Sequence, residues 1–201
     1  MMIPSPRCGG FLAMLAWAVC GPWANWSRAG ELAPPQPPNI VWLTVEDMSP
    51  WIGPYGDRTV PTPHLDQLAR EGVVFDNAFA TSPVCAPARS SLITGMFCTR
   101  IGTMQMRNGN PSPAAVKKNP DAYRDIPGYE GLPPPFVRCF PEHLRAAGYY
   151  CTNNAKKDYQ FTDPVTVWDE SSGKAHWHKR AAGQSFFAVF NYGGTHESQG
   201  F

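Results

Sequence analysis

This 201-residue chain has no long run of like charge, no CxxC pair, no internal repeat and no apolar stretch of membrane-spanning length. With a net charge of +1 and no one-signed run, it lacks the basic stripe or arm that holds nucleic acid. Without CxxC, neither a zinc knuckle nor a thioredoxin-like redox site is expected. The apolar run at 11–20 (FLAMLAWAVC) is too short for a stable membrane span. What the chain does have is proline and glycine, 22 and 18 residues, which predict many turns and irregular loops. At 43% hydrophobic and 12% aromatic residues, its length suffices for one globular domain with a core.

The amino terminus reads as a leader. Arg7 gives a positive start, 11–20 an apolar centre, and Ser27-Arg28-Ala29 the small residues that a signal peptidase reads. Residues 1–29 are therefore expected to be an export signal, making the protein periplasmic or secreted. Cys20 follows Trp17-Ala18-Val19, which makes a poor lipobox. Pro34, Pro35, Pro37 and Pro38 make 30–38 a stiff, extended linker, and 39–201 is the folded portion. Of six cysteines, cleavage removes Cys8 and Cys20. If Cys85 is modified, Cys98, Cys139 and Cys151 permit at most one disulfide.

Along the folded portion, 39–45 (NIVWLTV) reads as a buried strand of a parallel sheet, ending in the adjacent carboxylates Glu46 and Asp47. Residues 61–72 predict a helix with Thr62 as N-cap, Pro63 in the first turn, Leu65, Leu68 and Ala69 on one face, and Gly72 as stop. Residues 73–79 read as a strand leading into the Cys85 loop, and Pro87 to about Phe97 as helix. The 103–135 stretch reads as a long loop that shapes a substrate pocket. A short helix is expected at 141–147, stopped by Gly148, with strands at 149–153, 165–168 and 185–192. Strands alternating with helices predict an α/β class with a mostly parallel sheet flanked by helices. Ligands of such sheets bind beyond the carboxyl ends of strands, where Glu46-Asp47, the loop before Cys85, and His196 are expected to lie.

The densest chemical signal is 85–95 (CAPARSSLITG). A cysteine at a helix start sits in the positive field of unpaired backbone N–H groups, and Arg89 one turn on adds a fixed charge. Both favour an anion at position 85. Taken alone, a cysteine reads more simply as a buried packing residue, and a lone acid pair, lysine or histidine as solvated surface.

The pattern Cys85-x-Pro87-x-Arg89, followed by Leu92, Thr94 and Gly95, resembles the signature of the type I sulfatases, with Ala88 where that family often has serine. The resemblance spans roughly Asn39 to Phe201 and extends to bacterial sulfatases of sulfated glycans and to N-sulfoglucosamine sulfohydrolases. It implies an alkaline-phosphatase-like fold, incomplete at the C-terminus. It also implies that a formylglycine-generating enzyme oxidises Cys85 to formylglycine. The hydrated aldehyde then attacks sulfur, and its second hydroxyl expels sulfate from the covalent intermediate. The metal set is implied to be Glu46, Asp47 and position 85, holding Ca2+ or another divalent cation. Glu46 stands where the family commonly has aspartate. Arg89 would steady the hydrate and the sulfate. Lys156 aligns with a sulfate-contacting lysine, although Ala155, Lys157 and Asp158 replace its usual neighbours, so the family's histidine role is not carried to Asp158. His196 aligns with a histidine that protonates the leaving group. The implied substrate is a sulfated carbohydrate or an aryl sulfate. Further metal ligands of the family lie downstream of position 201, so weak or absent turnover is expected of these residues alone. A phosphohydrolase of the same superfamily and a non-catalytic, glycan-binding secreted relic are the competing readings.

Overall fold

The computed structural model describes residues 36–106, 113–124 and 129–197. The expected export signal, most of the linker and parts of the 103–135 loop lie outside the described residues. Four strands form one sheet in the order β1-β4-β2-β3: β1 (Ile40–Val45), β2 (Tyr150–Asn154), β3 (Glu170–Ser171) and β4 (Phe186–Tyr192). Every pairing is parallel, so all the carboxyl ends share one edge. The register sets Ile40 opposite Phe187 and Val45 opposite Tyr192, and on the other side of β4 Tyr150 opposite Phe186.

That register sorts the side chains by face. Ile40, Trp42 and Thr44 share a face with Phe187, Val189 and Asn191. Among the described residues, five helices accompany the sheet: α1 (Pro63–Glu71), α2 (Cys85–Thr94), α3 (Pro113–Lys118), α4 (Pro120–Tyr123) and α5 (Phe140–Ala146). The core lies between this face, α2 and α5. Phe187 stacks on Trp168 at 6.0 Å and meets Phe140 edge-on at 5.3 Å, while Phe140 also meets Trp42 at 5.6 Å. Each such pair adds about 0.5–1.5 kcal/mol beyond its area. On the opposite face a 3-10 turn, Trp177–Lys179, packs Trp177 on Phe186 at 4.8 Å.

Several expectations need correction. Residues 73–79 form no strand: no neighbour offers them a ladder, and Val73 and Phe79 are 79% and 87% exposed. The loop before Cys85 therefore does not follow a strand. Residues 165–168 form no strand either. Val167 N–H closes a turn on Pro164, and pairing begins only at Glu170. β1 is not a buried strand: Ile40, Trp42 and Thr44 are half-buried on one face, and Val41, Leu43 and Val45 are exposed on the other. The 103–135 stretch is not all loop, since it contains α3 and α4.

Helix boundaries shift for local reasons. α2 starts two residues early because Val84 is extended and Pro87 falls within the first turn, where a missing N–H costs no intrahelical bond. It ends at Thr94 because Gly95, at φ +66°, turns left-handed and donates to Ser91. α1 starts at Pro63. Thr62 precedes it, but its hydroxyl accepts from Gly53 N–H and donates to Asp66 instead of capping. α5 stops at Ala146, just before Gly148 at φ +90°.

Candidate active site at the carboxyl edge of the sheet

Glu46 continues the β1 ladder by one bond, donating its N–H to the Tyr192 carbonyl at 3.1 Å. Asp47 then turns the chain through a left-handed φ of +48°. The 193–197 turn following β4 is tied to this corner. Thr195 donates its hydroxyl to the Glu46 carbonyl, Glu197 N–H donates to Asp47 Oδ2 at 3.0 Å, and His196 N–H closes on Gly193 at 3.1 Å. These bonds bring His196 over the end of β1.

Glu46 is 6% exposed and is the hub of the site. Arg89 Nη2 donates to its Oε1, and Lys156 Nζ donates to its Oε2 at 3.0 Å. Burial alone would raise the Glu46 carboxyl. The hydrogen bonds from Lys156 and Arg89, with their charges, outweigh burial and hold it below the usual carboxylate value. Arg89 Nη1 donates to Asn191 Oδ1 at 2.9 Å and to the Lys156 carbonyl at 3.2 Å. Lys156 Nζ also lies 3.8 Å from Asp158 Oδ2.

Cys85 opens α2, with its side chain half-buried. Ligand atoms of Cys85, Glu46 and His196 all lie within 4.8 Å of one another. That converging group differs from the expected metal set, because His196 is in it and Asp47 is not. Asp47 still lines the same cavity of about 470 Å³, whose polar wall includes Glu46, Cys85 and Arg89 and whose apolar wall includes Trp42, Phe140 and Trp168. The volume is that of a small-ligand site. His64 lies exposed on α1, away from this chemistry. Cys85, Cys98, Cys139 and Cys151 are all free thiols, so the permitted disulfide does not form among them.

Asn191 was not singled out from the sequence. Its amide makes four bonds: Oδ1 accepts from Thr44 Oγ1 at 2.7 Å and from Arg89, and Nδ2 donates to Asn153 Oδ1 and the Asn154 carbonyl, each at 3.0 Å. It ties the ends of β1, β4 and β2 to Arg89 and to the segment that presents Lys156. Its signal is positional, since Phe187, Val189 and Asn191 share one face of a buried strand and the last is polar exactly where that face reaches the edge.

Comparison with known proteins agrees with this geometry. Residues 38–169 match the sulfatase family. The chain is 53% identical over 171 residues to the ulvan-active sulfatase of Formosa agariphila, covering 85% of this chain and 27% of that protein. It is 37% identical over 140 residues to human N-acetylgalactosamine-6-sulfatase, covering 69% of this chain and 25% of that protein. The fold is similar to the solved structure of a protein in complex with its substrate D-glucosamine-2-N,6-O-disulfate, with a TM-score of 0.57 and 20% identity. That match covers 80% of this chain and 35% of the other, and it speaks for the fold alone. The chain spans about a quarter of the length of the two curated relatives. With a family match over most of its described length and this sheet architecture, the chain belongs to the sulfatase family.

Proposed function

We propose that this chain carries the site of a sulfuric ester hydrolase acting on a sulfated carbohydrate, with residue 85 converted to formylglycine and a divalent cation beside it. The observation that carries this reading is the meeting of Cys85, Arg89, Lys156, Glu46 and His196, drawn from four separate stretches, at one sheet edge.

A sulfate ester spreads negative charge over its free oxygens. Arg89 offers a planar fork of donors and Lys156 a compact positive charge, the pair of groups that such an anion requires. His196, within 4.8 Å of the Cys85 sulfur, is near enough to give a proton to an oxygen leaving a group held there. The hydrated aldehyde at position 85 supplies the nucleophilic hydroxyl. Glu46, kept ionised by its two cationic partners, and Asp47 are oxygen donors suited to a hard cation, and conversion of Cys85 replaces sulfur with oxygen. These groups would hold Ca2+ or a similar ion, which adds positive charge against the sulfuryl oxygens.

The identity with the ulvan-active relative supports a sulfated polysaccharide as substrate. Export directed by residues 1–29 would put the protein outside the cytoplasm, where such polymers are met. No described helix is long and apolar enough to cross a membrane.

Isothermal titration of the chain with inorganic sulfate and with sulfated ulvan oligosaccharides tests the reading. Both are expected to bind, and Arg89→Ala and Lys156→Ala are each expected to weaken binding by at least roughly tenfold, the worth of a charged hydrogen bond. Equal binding by the chain and both variants contradicts it.

A further inference from the structure

The donor set at the site changes with the chemistry of residue 85, and before conversion it is not an oxygen set. Cys85 offers sulfur, His196 an imidazole nitrogen and Glu46 a carboxylate oxygen, all within 4.8 Å of one another. We propose that the unconverted chain binds a thiophilic divalent cation, Zn2+ in kind, through Cys85, His196 and Glu46.

Ligand type, geometry and charge all favour such an ion. The first is ligand type. One sulfur, one nitrogen and one carboxylate oxygen make a borderline-soft set, which suits zinc and cobalt and is unsuited to calcium. Three protein ligands plus an open fourth position is also the arrangement of zinc sites that keep a water.

The second is geometry. Donor atoms of a tetrahedral zinc site lie about 3.5 Å apart, so closing the observed triangle takes movements of about 1 Å. Cys85 opens a helix and His196 sits in a turn, and both side chains are half-buried. Glu46 is held in place by Arg89 and Lys156. Those two bonds leave its carboxylate with free lone pairs, since a carboxylate has about four acceptor positions.

The third is charge. Arg89 and Lys156 oppose any added cation, but Glu46, Asp47, Asp158 and a Cys85 thiolate together offset both of them and a doubly charged ion.

The consequence is a site whose metal preference follows the state of residue 85: a thiophilic ion while sulfur is present, and a hard ion once oxygen replaces it. The first half stands whether or not the chain cleaves sulfate esters. Only the second half rests on the proposed function.

The test uses the full chain made in a host without a formylglycine-generating enzyme, titrated with Co2+ as a spectroscopic probe. A sulfur-to-cobalt charge-transfer band in the near ultraviolet is expected at one equivalent, and Zn2+ should displace it. Cys85→Ala should abolish the band, and His196→Ala should weaken binding by at least roughly tenfold. Zn2+ should also slow alkylation of Cys85 by iodoacetamide, read by peptide mass, which tests the sulfur contact without any variant. Thermal melts confirm that both variants fold. Absence of the band in the chain itself, or a band unchanged in either variant, overturns the proposal. So does an unchanged alkylation rate with Zn2+ present. Loss of sulfate binding with the cobalt band intact would instead tell against the proposed function.

Discussion

Arg89 on α2 donates to Glu46 at the end of β1, joining residues 43 positions apart across the mouth of the cavity. The Arg89 side chain is 13% exposed and that of Glu46 7%. A carboxylate buried to that degree keeps its charge only because Arg89 and Lys156 both face it. Glu46→Gln conserves shape and leaves two cations without their counter-charge. A loss of about 3–5 kcal/mol at pH 7 is expected, measured by denaturant unfolding.

The same pair sets an acid limit. The folded Glu46 carboxyl titrates below its unfolded value, so the stability it adds is present above about pH 4.5 and is lost as pH falls through the lowered folded value. Unfolding midpoints measured from pH 7 to pH 3 should fall more steeply for the parent chain than for Glu46→Gln. Parallel curves would contradict this.

Asn191 holds Arg89 and the backbone before Lys156 with one amide whose four hydrogen-bonding positions are all used. Asn191→Leu keeps the approximate size and removes all four bonds. A loss of about 1–3 kcal/mol is expected from the stranded partners. Arg89 should then react several-fold faster with phenylglyoxal, as read by peptide mass, while Arg145 and Arg180 serve as internal references. Equal acceleration at all three would indicate general loosening and contradict a specific role.

Asp169 provides a contrast away from the cavity mouth. Its Oδ1 accepts from Arg145 at 2.7 Å and its Oδ2 from Cys151 N–H at 2.7 Å, fixing the chain just before β3 against β2. Asp169→Ala strands a backbone N–H and is expected to cost about 1–3 kcal/mol in unfolding measurements. Alkylation of Cys85 should stay at its parent rate, because none of the bonds that place Cys85 involves Asp169.

The thiols should separate by reactivity. Burial, with nearby acids, pushes Cys139 and Cys151 up to about 12. Their thiolate fraction at pH 8 is about one in ten thousand, and only the thiolate reacts. Half-buried Cys85 should alkylate before Cys98, Cys139 and Cys151, and those three only after denaturation, as peptide mapping will show.

What the sequence disclosed was whatever chemistry is local. Cys85 and Arg89 lie one helical turn apart, Glu46 ends an apolar run and His196 follows another, so each could be placed from its neighbours. Strand formation depends on partners, and there local reading failed. Residues 73–79 are largely apolar, like β1, yet no strand pairs with them, while the two-residue β3 has little pattern but finds a partner in β2. Asn191 went unmarked for a related reason. A polar residue within SFFAVFNY reads as an interruption, and only the register with Thr44 and the reach of Arg89 give it a task. The set of atoms meeting at Glu46 is likewise a property of the parallel sheet, which brings the ends of β1, β2 and β4 to one edge.

The central claim is that residue 85 is a maturation target within an anion-binding edge. The chain produced together with a formylglycine-generating enzyme, digested and weighed, tests it most directly. The peptide carrying residue 85 is expected to be lighter by about 18 Da than its thiol form, the change from a cysteine thiol to an aldehyde. A peptide that retains the thiol, in a host proven to convert another such motif, would contradict it.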